Sequence, residues 1–389
     1  MKAAVAGQLA AAYDSAIVDE LKQSGFVRTH GRLTIHLAKE FGFCYGVDRA
    51  VDYAYQTRKR FPDKRVFLTG EIIHNPHVND QLRAQGIRFL TDAGESGAVL
   101  GRDDVVILPA FGVSVGDMAR LDAQGCTLVD TTCGSVLTVW KNVKRYAQDG
   151  FTSVIHGKVT HEETRATASQ ATQYPSGHFL IVLNHEEAAF VCDYIVHGGD
   201  RAAFLAKFAT AVSPGFDPDV HLQRIGCANQ TTMLMSESLE IGEMFGTAMA
   251  RKFGAEALPS AFRAFDTICS ATQERQDAVI ALLDDVRLDL MVVIGGYNSS
   301  NTCNLAKICA DRCPTLHIAD PDCLVSAREL RHRPIGKPST AAVPEEIALN
   351  WLPDGPVTLG LTAGASTPNN IVGQVIGRLE ALAADPTPS

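Results

Sequence analysis

The stretch Leu290-Met-Val-Val-Ile-Gly-Gly-Tyr-Asn-Ser-Ser-Asn301 decides the fold. Leu290 through Ile294 are apolar without interruption. The run lacks the alternation of a strand with one wet face and is too short for a buried helix. It reads as a parallel strand covered on both sides. Gly295 and Gly296 break it, and the Ser and Asn residues that follow are of the kind that cap a helix. Strand, polar turn and helix make one βα unit.

Working outward, short β-rich runs are expected at 66–70, 105–110, 127–131, 153–157, 179–184, 290–295, 316–319 and 357–362. Helical patterns lie between them, among others at 47–59, 236–251, 275–285 and 370–384. Such alternation means an α/β protein with mostly parallel sheets. Ligands of these sheets bind where strands end and helices begin. Cys133, the His156-Gly157-Lys158 turn, Ser299-Ser300-Asn301 and Ser366 all follow expected strands. The opening MKAAVAGQLAAAYDSAIVDELKQ reads as an amphipathic helix, 209–222 and 330–345 as loops, and the tail after Ala383 as frayed.

A chain of 389 residues exceeds one ordinary core and implies two or three domains. The net charge of −9 and pI near 5.7 argue against a nucleic-acid surface but leave room for a local basic or His-rich anion pocket. No apolar run reaches the ~18 residues that span a membrane. With no secretory signal expected, and ten cysteines too few for a disulfide scaffold at this length, a reducing cytosol is the expected location.

Three cysteines sit in short Gly/Thr junctions: Gly-Phe-Cys44-Tyr-Gly, Asp-Thr-Thr-Cys133-Gly and Thr-Ile-Cys269-Ser-Ala-Thr. Separations of 89 and 136 residues exclude a local zinc finger or ferredoxin loop. They imply three structural units, each bringing one thiolate to a common centre, with cuts that give 1–43 as an extension leading into the first ligand loop and 44–132, 133–268 and 269–389 as three α/β domains. Three thiolates on an iron–sulfur cluster would leave one iron open. The plain alternative is that a free Cys is a small buried hydrophobe. That reading is preferred for Cys303, Cys309 and Cys313, which alternate with Leu305, Ala306 and Ile308, and for Cys126, Cys192, Cys227 and Cys323 in apolar runs.

His74 lies in Glu-Ile-Ile-His-Asn-Pro-His after a strand, and His161 and Glu163 lie in His-Gly-Lys-Val-Thr-His-Glu-Glu-Thr. A His with a carboxylate can bind an anion and relay a proton, though His161 and Glu162 could equally be surface residues near a helix N-terminus. The turns around Ser299, Ser300 and Asn301, and around Ser366, have phosphate-site chemistry without the Walker A or Rossmann pattern; an N-capped turn is the bland reading. Gln230-Thr231-Thr232 is a third polar patch.

Taken together, GFCYGVDRAV, EIIHNPHVN, DTTC, IHGKVTHEET, NQTT, CSATQERQDA, GGYNSSN and TAGAS resemble the 4-hydroxy-3-methylbut-2-enyl diphosphate reductase family, in its cyanobacterial and plant-like branch, from about Leu37 to Val372. The resemblance implies three α/β domains in pseudo-threefold arrangement around one 4Fe–4S cluster. It implies Cys44, Cys133 and Cys269 as ligands, with the fourth iron taking the substrate hydroxyl. It assigns His74, His161, Ser299, Asn301 and Ser366, with Ser300 in the same turn, to the diphosphate. Thr231 matches the hydroxyl near the substrate alcohol, and Glu163, rather than Glu162, matches the carboxylate that delivers protons. The implied reaction, the last step of the methylerythritol phosphate route, removes that hydroxyl reductively to give isopentenyl and dimethylallyl diphosphates. A ferredoxin or flavodoxin is the implied electron donor.

Two positions depart from the family pattern. Phe111 stands where many members carry a diphosphate-binding His, with Lys158 and Tyr297 as candidates to compensate. Gly134 follows Cys133 where proline is usual, which is expected to loosen the ligand loop. Two other function classes stay open on the residues alone. A non-catalytic iron–sulfur scaffold needs the thiolates without the His161/Glu163/Ser299/Asn301 set. A zinc hydrolase would be colourless and redox-silent.

Overall fold

The computed structural model describes residues 2–265, 267–337 and 343–384. Part of the expected 330–345 loop and the tail from 385 onward lie outside them. The chain groups into two compact bodies, one of Met1–Asp63, Glu71–Phe89 and Ser270–Ser389, the other of Lys64–Gly70 and Leu90–Cys269.

In the first body a five-stranded sheet runs Val27–His30, Leu33–Leu37, Val357–Ala363, Leu290–Ile294, Thr315–Ile318. Only the first pair is antiparallel. The run Leu290–Ile294 shows why it had to be apolar throughout. Leu290, Val292 and Ile294 join a core with Ile371, Val375 and Leu379 of the helix Asn369–Ala384. Met291 and Val293 join Val279, Leu305 and Cys309 on the other face. Successive side chains point to opposite sides, so a strand with helices on both faces has no position for a polar residue.

In the second body the strands pair in parallel in two sheets. One pairs Val66–Leu68 with Val105–Leu108 and that with Thr127–Asp130. The other runs Phe262–Ala264, Ile225–Asn229, Thr152–His156, Phe179–Val182. Phe204, Phe208, Phe216 and Phe245 fill the core beside the second sheet. The α/β class with mostly parallel sheets is thus as expected, and all eight expected strands are present within two residues at each end.

Some local expectations need correction. The opening segment is two helices, Lys2–Tyr13 and Ala16–Gln23, because Ser15 turns extended and its hydroxyl caps the second by accepting from Val18 N. The expected 330–345 loop begins inside a strand, Glu329–His332, which pairs antiparallel with Glu346–Leu349 and buries Leu330. The 209–222 loop contains the short helix Pro218–His221, capped by Asp217. The helix expected at 275 starts at Ser270. No helix among the described residues is long and apolar enough to cross a membrane.

Candidate functional site

Each candidate cysteine lies on a strand-to-helix junction of a different sheet. Leu33–Leu37 leads to Cys44 and the helix Tyr45–Arg60; Thr127–Asp130 leads to Cys133 and the helix Gly134–Gln148; Phe262–Ala264 leads to Cys269 and the helix Ser270–Asp285. Cys44 and Cys133 are the N-caps themselves, extended, with no side-chain cap bond, so each sulfur sits at a positive helix end. All three are half-buried. Of the remaining cysteines, Cys126, Cys227, Cys309 and Cys323 are buried as expected of core, whereas Cys192, Cys303 and Cys313 are half-buried. Cys309 is fully buried, and burial pushes its thiol and those of Cys126, Cys227 and Cys323 up. Burial likewise pushes the half-buried Cys192 up to about 12, while Cys303 donates to Tyr297 O at 3.4 Å.

Within the first body the polar residues gather around the strand ends. Ser299 caps the helix Ser300–Ala310, its hydroxyl accepting from Thr302 N at 3.3 Å. Ser366 Oγ donates to His74 O at 3.1 Å, and Ala365 N donates to Asn301 Oδ1 at 2.8 Å. The Cys44 N–H closes the group by donating to Ala365 O at 3.1 Å. A Cβ on Gly296 would come within 2.5 Å of His74 O, so the backbone of the 295–296 turn packs where no side chain fits. His74, Ser299, Ser300, Asn301 and Ser366 are all buried.

The His74 ring is oriented by two residues that sequence reading did not assign. Glu71 Oε2 lies 2.9 Å from Nδ1 and also accepts from Asn298 Nδ2 at 2.8 Å. A carboxylate accepts, so the ring hydrogen sits on Nδ1; a proton added at Nε2 makes a cation already paired with Glu71. The spacing Glu71-x-x-His74 was visible in the sequence, but Asn298 lies 224 positions from His74.

Asn301 is the most telling residue of this group. Its Oδ1 takes the Ala365 N–H, which fixes the amide's orientation. Its Nδ2 is buried and has no partner among the described residues. A buried amide donor left unmade costs about 1–3 kcal/mol.

Within the second body Glu163 and Thr231 form a closed pair. The Thr231 N–H donates to Glu163 Oε1 at 2.6 Å and its hydroxyl to Oε2 at 3.0 Å. Both residues are buried. The carbonyl of the same Thr231 accepts from Cys269 N at 3.3 Å, which ties the carboxylate to that cysteine's loop. His161 caps the helix Glu162–Ala171, its Nδ1 accepting from Glu163 N at 3.2 Å. A backbone N–H only donates, so the ring hydrogen is on Nε2. Glu162 is exposed whereas Glu163 is buried. Gln230 Oε1 collects Lys158 N and Thr164 Oγ1 at 3.1 and 3.0 Å, holding the His156–Lys158 turn.

The two departures have clear surroundings. Phe111 places its ring edge-on to His161 with centroids 5.7 Å apart. The Tyr297 hydroxyl donates to Glu345 Oε1 at 2.8 Å, so it is engaged elsewhere. Gly134 is the first residue of its helix, and a Cβ there would meet nothing within 4 Å.

A sequence profile described as "LytB protein" matches residues 35–380. A protein of Thermosynechococcus vestitus named 4-hydroxy-3-methylbut-2-enyl diphosphate reductase is 50% identical over 378 residues, 96% of this chain and 91% of the relative. One of the same name from Gloeobacter violaceus is 51% identical, over 97% and 90%. A solved structure of (E)-4-hydroxy-3-methyl-but-2-enyl diphosphate reductase, described as the terminal enzyme of the non-mevalonate pathway, aligns with TM-score 0.53 at 25% identity, covering 89% of this chain and 99% of that one. A Plasmodium falciparum reductase structure aligns with TM-score 0.60 at 20% identity over 88% and 86%, a likeness of fold.

Proposed function

The chain belongs to the LytB protein family, and on that premise we propose that it reductively dehydroxylates (E)-4-hydroxy-3-methylbut-2-enyl diphosphate to isopentenyl and dimethylallyl diphosphates. The balance is two electrons and two protons in, and one water out. The observation that carries the reading is the buried, unpartnered Asn301 Nδ2 beside His74, Ser299 and Ser366. No acceptor for it stands among the described residues, and a diphosphate at the start of the helix Ser300–Ala310 would supply one.

The ligand set fits an iron–sulfur cluster. Cys44, Cys133 and Cys269 differ from the other cysteines in lying at helix starts that follow strands, and three soft thiolates are the donors such a cluster takes. When bound, a 4Fe–4S cluster with one open iron supplies Lewis acidity and single electrons. Three α/β domains around it, the cytosol as location and a ferredoxin or flavodoxin as donor belong to the same proposal.

The chain's own residues do the rest. His74, with Glu71 behind it, Ser299, Ser300, Asn301, Ser366 and His161 through Nε2–H hold the diphosphate and so orient the allylic alcohol. Glu163, aligned by Thr231, passes a proton to the departing hydroxyl, and the Thr231 hydroxyl orders the path. Phe111 contributes an apolar wall against His161 in place of a further donor.

Anaerobic purification followed by iron and sulfide analysis tests the reading. A brown protein that consumes the hydroxymethylbutenyl diphosphate with dithionite and a viologen is expected. A colourless zinc protein overturns it, and a redox-active protein without turnover leaves a scaffold.

A further inference from the structure

We propose that Arg275 is a positioning residue for the Cys44 loop and supplies the buried positive charge that compensates the anionic cluster of the reading above. Arg275 is only 3% exposed. It lies in the second turn of the helix Ser270–Asp285 and reaches back across 233 positions of sequence. Its Nε and Nη2 donate to Gly42 O at 3.1 and 2.8 Å, and Nη2 also donates to Phe43 O at 3.1 Å. The third arm, Nη1, donates to Ala271 O at 2.8 Å in its own helix. The carbonyls it grips are those of the two residues immediately before Cys44.

Every one of these acceptors is a neutral carbonyl. No carboxylate pairs with Arg275 among the described residues, although the chain holds 44 Asp and Glu against 35 Lys and Arg. A guanidinium out of water without a counter-charge is costly, and proteins keep such groups where an anion completes the balance. Glu40 and Glu274, the nearest carboxylates in sequence, are exposed; the residue that follows the gripped carbonyls is Cys44, half-buried at its helix start and able to bring negative charge as a thiolate. A lysine could not replace this arrangement. The planar fork spans Gly42 O and Phe43 O together while bonding its own helix, whereas an ammonium is a point charge on a flexible stem.

Two consequences follow. The fork holds the Cys44 backbone against the helix, so loss of the fork loosens that ligand. The fixed cation favours the more negative, reduced cluster, so loss of the charge makes reduction harder.

The test uses cluster-loaded wild type, Arg275→Lys and Arg275→Gln, with iron and sulfide per chain, thermal midpoint, EPR-monitored reduction potential and iron loss to a chelator. Arg275→Gln is expected to make reduction about tenfold less favourable, about 59 mV for one electron. Arg275→Lys should keep the wild-type potential yet lose iron several-fold faster. A wild-type potential and a wild-type rate of iron loss in Arg275→Gln overturn the proposal. If that variant yields no folded protein, wild-type iron loss in Arg275→Lys overturns it instead. A wild type that binds no iron and sulfide refutes the cluster reading itself, which the iron analysis reports separately from any effect at Arg275.

Discussion

Glu163→Gln separates the proton-delivering role of the carboxylate from its structural one. Glu163 accepts two hydrogen bonds from one residue, at 2.6 Å from the Thr231 N–H and 3.0 Å from its hydroxyl. In the glutamine variant the amide oxygen must face the N–H, which can only donate, and the amide nitrogen then faces a hydroxyl that can rotate to accept. Both contacts survive, and what is lost is charge assistance, about 1–2 kcal/mol. Folding and cluster content are therefore expected to hold. Removing a positioned general acid costs about 10²–10⁴ in rate. The assay is steady-state consumption of the hydroxymethylbutenyl diphosphate with reduced viologen, alongside iron content and thermal midpoint. The loss should fall in kcat with little change in KM, since the diphosphate contacts are untouched. Wild-type kcat in a variant with full iron content would refute the reasoning. A loss of kcat with matching loss of iron would assign Glu163 to the Cys269 loop, which Thr231 O also holds.

Gly112 has φ of +76°, and a Cβ there would lie 2.4 Å from the Trp140 ring. Gly112→Ala should cost about 3 kcal/mol through backbone strain and overpacking, read as a lowered thermal midpoint with altered Trp fluorescence. Gly134→Pro should instead be neutral or stabilising by about 0.4–1 kcal/mol. The position is the first of its helix, Cys133 already has φ −63° and ψ 141°, and no atom stands within 4 Å of a new Cβ. A lower thermal midpoint in that variant would show that the loop needs glycine. His317 is buried and donates to Gly295 O at 3.0 Å, and burial lowers its pKa to about 4 from an ordinary 6.5. Its folded-state pKa is depressed, so between pH 6.5 and 4 the unfolded chain binds more protons and stability falls as pH falls; at pH 5 the loss is about 2 kcal/mol. Urea unfolding of wild type and His317→Gln at pH 7 and pH 5 should show the wild type losing more, and parallel losses would contradict the assignment.

Much of the chemistry was legible because it is local. An apolar run ending in Gly-Gly-Tyr-Asn-Ser-Ser-Asn announces a buried strand and a capped helix within twelve residues. The expected strands were therefore found, and Ser299 caps as its position implied. Of the ten cysteines, Cys44, Cys133 and Cys269 stood apart by their Gly/Thr junctions, and they occupy the helix starts. Errors arose where local signals compete. In the opening segment Ser15 reads as one polar residue on a helix until its extended backbone shows it capping the next. Leu330 reads as loop beside prolines until the strand Glu346–Leu349 is found to pair with its neighbours.

By itself the sequence determined the layer type and placed the candidate site residues at strand ends, because periodicity of 2 and 3.6 and the preferences of capping residues are properties of a few consecutive positions. It could not determine which distant groups orient them. Asn298 on Glu71 behind His74, Thr231 on Glu163, and Arg275 on the carbonyls before Cys44 join positions 68 to 233 apart. Hydrogen bonds of that kind depend on angles and distances of a few tenths of an ångström between elements brought together only by burial of their apolar faces. The tertiary structure alone decided them.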